Sequence, residues 1–322
     1  PLLGQFLADL GAEVIKVEWF KRYDLYRTRG VERMAGKYPE SLRREMSHSF
    51  HGLNRNKIGV AMDLKNSVHR DGLIDLAAQS DLIIENFTSG TLDRLGLNYE
   101  KLSEVNRAIV LLSLSGFGAS SRLSQMRAYG LVLSALSGME ASISDPQSGE
   151  FVGSPTFVAS DPNAAAYGLF AAISAIIEAR KTGLGSHVEL SQLEAVAHVA
   201  VAKDAELKKL ADSLGLETTF DPLHEDMIPC VDGKYLCVAW PKDITEHEKQ
   251  YISNKALSMP FVEAQKLIES YKIEVVNVVE QSSQVGAGAL AKGTLIPTVH
   301  PITGPENIVA APWWIDGQRS PL

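Results

Sequence analysis

Apolar residues along this chain recur with two periods, and the periods alternate. In "LLGQFLADL", Leu2, Leu3, Phe6, Leu7 and Leu10 share one face of a helix that Gly11 closes. "AEVIKVE" then reads as a short buried strand. Residues 20–56 are polar, basic and aromatic, without a regular period, and read as a long connection. "IGVAMDL" (58–64) predicts a strand, "VHRDGLIDLAAQS" a helix, and "DLIIENF" (81–87) a strand ending in polar residues. "TLDRLGL" and "KLSEVNR" predict two short helices, and "AIVLLSLSGFG" (108–118) another strand. Apolar strands separated by amphipathic helices imply a parallel sheet covered on both faces. Ligands of such sheets bind beyond the carboxyl ends of the strands. Here those ends are "VE", "ENF" and "SLSGFG".

Residues 125–145 and 162–181 read as two long helices rich in Ala, Ser and Gly. "SHVELSQLEAVAHVAVAKDAELKKLADSLG" reads as a strand running into a long helix. The texture then changes. Residues 227–240 predict a hairpin turning at Val-Asp-Gly-Lys, and 243–282 are helical and polar. "TLIPTVHPITGPENIVAAPWWIDG" returns to short strands bounded by proline. The expected division is a large α/β domain over 1–221, a smaller domain over 222–294 and a return segment over 295–322. The chain opens inside a helix, whereas a doubly wound domain begins with a strand. The expectation is therefore a truncated chain, a fragment or half of a longer polypeptide.

Composition narrows the partners. The 322 residues are 45% hydrophobic and 22% charged, with a net charge of -8. That acidity argues against a nucleic-acid protein, which would usually carry a basic patch. No apolar run of ~20 residues suggests a membrane span, and no signal peptide is visible. Cys230 and Cys237 lack metal-ligand partners at useful spacing and read as reduced thiols of a cytoplasmic protein. The eight histidines are scattered. His48 and His51 are close but fall in the polar connection, so no zinc site is expected. Neither GxGxxG, GxxxxGK[ST] nor G-x-S-x-G occurs.

The chemistry centres on "FVASDPNAAAYGLFAA" (157–172). Asp161 before Pro162 reads first as a helix N-cap with proline at N1. Asn163, Ala164, Ala165, Ala166 and Gly168 then leave the first turns without bulk. This suits a carboxylate that must meet a large substrate. Such a group serves as a covalent nucleophile toward an activated ester such as a thioester. The helix dipole favours its ionised form, and free N–H groups nearby would receive developing charge. "ENFTSG" reads as a strand end and capped helix start. It also suits an anion, with Arg94 one turn in.

These segments occur in a familiar order. "QFLADLGAEVIKVE", "LNRNKIGVAMDLK", "SDLIIENFTSGTLDRLGLNYEKLSEVNRAIVLLSLSGFG", "AYGLVLSALSG", "SDPNAAAYGLFAAISAIIEARKTGLGSHVELSQLEA" and "VHPITG" resemble the class III CoA-transferases, the CaiB/BaiF family, over nearly the whole chain. The resemblance implies transfer of coenzyme A from an acyl-CoA donor to a small carboxylic acid, without a metal. It implies Asp161 as the nucleophile, passing through a mixed anhydride and an aspartyl-CoA thioester. It implies coenzyme A contacts from Asn86, Phe87 and Arg94, from Met62 and Lys65, and from Arg127 and Tyr129. It also implies a Rossmann-like large domain with a parallel sheet, a smaller α+β domain, and an interlocked homodimer.

There are departures from the family pattern. Trp19 stands where an Arg or Pro often follows "KVE", "NKIG" replaces "NKRS", and no Gly-rich loop is found. The family's 2-methylacyl-CoA racemases use a His near "AYG". Ala128, Tyr129 and Gly130 stand there, which ranks racemisation below transfer. A non-catalytic CoA-binding half of a fused protein is the other alternative.

Overall fold

The computed structural model describes residues 1–34, 36, 38–140, 159–201, 213, 225–241, 243–277 and 293–318. Two compact units emerge, Pro1–Leu210 with Ile296–Leu322, and Ala211–Leu295.

In the first unit, α1 (Leu2–Asp9) leads to β1 (Val14–Glu18), which pairs in parallel with β2 (Lys57–Ala61). α3 (Ser67–Ala77) precedes β3 (Leu82–Glu85). α4 (Thr91–Leu95) and α5 (Tyr99–Val105) precede β4 (Val110–Ser115). β5 (Ser186–Ser191) completes a second parallel sheet in the order β3-β4-β5. The strands thus fall into two parallel sheets, β1–β2 and β3–β4–β5. β4 is the middle strand, and its near-continuous apolar run is what two-sided burial requires. Leu112 and Leu114 join a cluster with Leu3, Leu7, Ala164, Ala165 and Ala172. Ile109 and Leu111 join one with Ala77 and Leu102.

The dominant helix is α7 (Ser160–Thr182). Its small residues do not clear space for a substrate. Ala164, Ala165, Gly168 and Ala172 are buried against α1 and β4. A Cβ on Gly168 would stand 3.0 Å from Leu3 Cδ2. The stripe exists so that helix and sheet approach closely. The opposite face carries exposed Tyr167, Phe170, Ile173 and Ile177. With both faces apolar, α7 is one helix that by length and composition is long and apolar enough to cross a membrane. The sequence, read by runs, had shown none.

Other expectations shift. The helix expected over 125–145 begins only at Gly130, as α6 (Gly130–Leu136), because Tyr129 is extended at its N-cap; residues 141–145 lie outside the described residues. The connection over 20–56 holds 3-10 turns and a short helix, α2 (His48–Asn54), capped by Ser47 accepting from the Phe50 N–H. His48 and His51 are therefore helical, and His51 is buried. Arg55, just past α2, forms an ion pair with buried Asp9 of α1. Gln5 donates to the same carboxylate at 2.7 Å. The helix after β5 is described as α8 (Gln192–Val201); its expected continuation lies outside the described residues. β9 (Leu295–His300) and β10 (Gly304–Val309) pair at the C-terminal side.

The second unit is an antiparallel sheet, β6 (Glu225–Pro229), β7 (Tyr235–Ala239) and β8 (Glu274–Asn277), with helices α9 (Glu246–Leu257) and α10 (Phe261–Ser270). Its core joins Leu236, Val238, Ala256, Ala264 and Ile268. β8 falls inside the stretch expected to be helical throughout, 243–282; residues 278–282 lie outside the described residues. Cys230 and Cys237 are free thiols, and burial pushes the Cys230 thiol up.

Gly185, at the entry to β5, makes the tightest approach. A Cβ there would stand 1.8 Å from the carbonyl oxygen of Ile109. Both sides of that contact are backbone, so nothing yields cheaply. Gly185→Ala is expected to destabilise the first unit by at least about 2 kcal/mol. Urea unfolding against wild type measures it, and an unchanged midpoint would refute the contact.

Candidate active site

α7 begins two residues earlier than the sequence suggests. Ala159 occupies the N-cap with no side-chain capping bond, and Asp161 lies within the first turn. The correction matters chemically, because an N-cap carboxylate would spend its oxygens on backbone N–H groups. Ser160 is buried, and its hydroxyl lies 3.0 Å from the Gly130 carbonyl and 3.5 Å from Asp161 Oδ1. With one proton to give, it favours the carbonyl. That bond ties the start of α7 to the start of α6. The half-buried Asp161 carboxylate is thereby placed beside the 127–130 segment. The first intrahelical bond runs from the Asn163 N–H to Ala159 (3.2 Å). The first-turn N–H groups thus precede the helical ladder, where anions are favoured.

The surroundings include residues with no sequence signal. The Tyr26 phenol is raised by burial, drawn down by Arg29 and up again by Asp161, so it shares the electrostatic field of the carboxylate. The Arg29 guanidinium carbon sits 4.4 Å from the Tyr26 ring. Asp24 accepts from Lys16 Nζ at 2.8 Å and from the Tyr26 N–H at 2.9 Å. Burial opposes its ionisation, yet these two donors hold its carboxyl below the ordinary value. Asp24, Tyr26 and Arg29 belong to the long polar connection, and Lys16 to β1. Only the fold brings them toward α7.

The remaining candidates lie past strand ends. Asn86 and Phe87 follow β3, both exposed, with the Phe87 ring 42% accessible. Exposed Arg94 on α4 donates to Thr91 Oγ1 at 2.9 Å. Arg127 and Tyr129 are exposed just before α6. Gln125 Nε2 donates to the Ser89 carbonyl at 3.1 Å and so joins this loop to the Asn86–Gly90 loop. Two hydrogen bonds, Gln125–Ser89 and Ser160–Gly130, therefore tie together the segments that carry Phe87, Arg127, Tyr129 and the start of α7. Met62 and Lys65 lie past β2 in the other sheet, Met62 half-buried against α3 and Lys65 exposed in a turn. Among the described residues, one group of metal-type donors lies close together. It is His48, His51 and Glu306, away from Asp161 in sequence and on α2 and β10.

The chain belongs to CoA-transferase family III, whose family model matches residues 1–242. It is 32% identical over 204 residues to the human succinyl-CoA:glutarate CoA-transferase, covering 62% of this chain and 44% of that one. It is 32% identical over 198 residues to the acetyl-CoA:oxalate CoA-transferase of Acetobacter aceti, covering 60% and 47%. The matched region thus spans about half the length of these relatives or less. In structure it is similar to a CaiB/BaiF family protein from Brucella suis, with a TM-score of 0.77 at 20% identity, covering 100% of this chain and 92% of the other. Rv3272 from Mycobacterium tuberculosis gives 0.73 at 18% identity, covering 100% and 90%. At such identities the likeness is one of fold.

Glu85, the last residue of β3, offers a titration test. Burial pushes its carboxyl above the ordinary 4.5, against the pull of the Ser113 hydroxyl and the Phe87 N–H. The folded chain therefore keeps a proton that the unfolded chain gives up. Stability falls as pH rises from about 4.5 through the raised folded value, and the penalty is complete above it. Glu85→Gln is expected to raise Tm relative to wild type more at pH 8 than at pH 4. An equal difference at both pH values would contradict this.

Proposed function

We propose that this chain carries the nucleophile of an acyl-CoA:carboxylate CoA-transferase, and that the nucleophile is Asp161. The observation that supports it best is a carboxylate in the open first turn of α7, not consumed by capping, in a chain of this family. An Asp161 oxygen attacks the donor thioester carbonyl. The C–S bond breaks, and CoA thiolate leaves behind a mixed anhydride. The thiolate attacks the aspartyl carbonyl, releasing the donor acid and forming aspartyl-CoA thioester. The acceptor carboxylate attacks that thioester and expels the thiolate again. The thiolate then takes the acceptor's acyl group, and Asp161 returns as a free carboxylate. Each step exchanges thiolate and carboxylate as leaving groups. First-turn N–H groups of α7 would receive the developing oxyanion.

In this reading coenzyme A lies across the strand ends. Arg94 and Arg127 would pair with its phosphates through their guanidinium forks. Exposed Phe87 offers a face for the base, and Asn86, Tyr129, Met62 and Lys65 flank it. The substrates named for the relatives, succinyl-CoA or acetyl-CoA with glutarate or oxalate, make dicarboxylic acids the first acceptors to try. The exposed stripe of Tyr167, Phe170, Ile173 and Ile177 fits a homodimer that covers it.

The test incubates the protein with succinyl-CoA and glutarate, or acetyl-CoA and oxalate, and follows product thioester. Asp161→Asn and Asp161→Ala are expected to lower kcat by about 10⁴-fold or more, the scale of losing a covalent nucleophile. Hydroxylamine trapping is expected to modify the Asp161 peptide by mass. Undiminished turnover in either variant refutes the role. Deuterium exchange at the acyl α-carbon without trapping would instead identify a racemase.

A further inference from the structure

We propose that His48, His51 and Glu306 form a binding site for a divalent transition-metal ion of the zinc class, separate from Asp161. His48 and His51 stand three apart on α2, and so on one face of the helix. Glu306 comes from β10, and its side chain is 3% exposed. The His48 Nδ1 lies 2.7 Å from Glu306 Oε2, and the His51 Nδ1 lies 3.0 Å from the same oxygen and 3.1 Å from Oε1. All three donor atoms fall within 4.8 Å of one another. Donors around a tetrahedral zinc stand about 3.3 Å apart, so the shorter His–Glu contact would open by about 0.6 Å to admit the ion.

Tautomer chemistry makes this more than proximity. His51 Nε2 is 2.9 Å from the Glu45 carbonyl oxygen. A carbonyl only accepts, so Nε2 carries a proton. In the neutral ring Nδ1 then holds a bare lone pair, aimed at both oxygens of a buried carboxylate. A positive charge between lone pair and carboxylate, a proton or a metal ion, satisfies both. A metal ion there would keep the Nε2–H on a carbonyl, the outer contact that orients metal-bound histidines.

The remaining neighbours fit. His300 stacks on His51 with ring centroids 3.9 Å apart. Its Nδ1 accepts from the N–H groups of Ile302 and Thr303, so that nitrogen is already occupied and the ring walls the site. His48 is 59% exposed and leaves a path from solvent. Imidazole with carboxylate suits zinc and its neighbours over calcium or magnesium.

The full chain, stripped with chelator, is titrated with Zn²⁺ alone by calorimetry and with Co²⁺ by visible absorption. One saturable equivalent and tetrahedral Co²⁺ bands are expected. His48→Ala, at an exposed position that spares the fold, should weaken binding at least about tenfold. Glu306→Gln supplies an amide N–H to the bare His51 Nδ1, so the metal-free protein stays folded while Zn²⁺ binding is lost. His247→Ala should bind as wild type does. No saturable binding, or binding indifferent to both His48→Ala and Glu306→Gln, overturns the proposal. So does nitrogen NMR showing His51 protonated on both ring nitrogens with Zn²⁺ in excess, which would identify a proton as the separating charge.

Discussion

The close seating of α7 on α1 and β4 is the constraint on which the first unit depends. Bulky side chains cannot lie between a helix and a sheet at that distance, so the contact is made by Ala164, Ala165, Gly168 and Ala172 against Leu3, Leu112 and Leu114. Buried apolar surface holds the seam, and close packing fixes the helix in position and rotation. Position and rotation together decide where the first turn points. The address of Asp161 is thus a packing result, and the Ser160–Gly130 hydrogen bond finishes it locally.

Much of this was legible in the residues, though for mixed reasons. The strands around "VIKVE", "LIIE" and "VLLSLS" were readable because two-sided burial leaves unbroken apolar runs. The small-residue stretch after Asp161 was conspicuous, but its physical reason was misjudged. An Ala/Gly stripe looks the same whether it makes room for a ligand or for a neighbouring helix. Only burial separates the two, and here it favours the neighbour. The cap lies two positions before the expected one for a similar reason: Asp-Pro is a strong local signal, yet the chain takes up helix at Ser160.

What stayed hidden has a common cause. α2 has no apolar period, so "HSFHGLN" read as connection and its histidines as loop residues. Tyr26 and Asp24 carry no motif, and their nearness to α7 comes from folding the long connection back. Glu306 is a lone acid in a short strand, given meaning by partners from the other end of the chain. Local pattern records what a segment does with its own neighbours in sequence. It is silent on charges that meet across hundreds of residues.

The Glu306 contact has a further meaning for how the molecule is made. Its partner His51 lies 255 residues upstream. α2 meets Asp9 through Arg55 over a short stretch of sequence, whereas the Glu306 carboxylate closes a loop of some 255 residues. Such long-range closure slows folding, and it binds two segments far apart in sequence into one cooperative event.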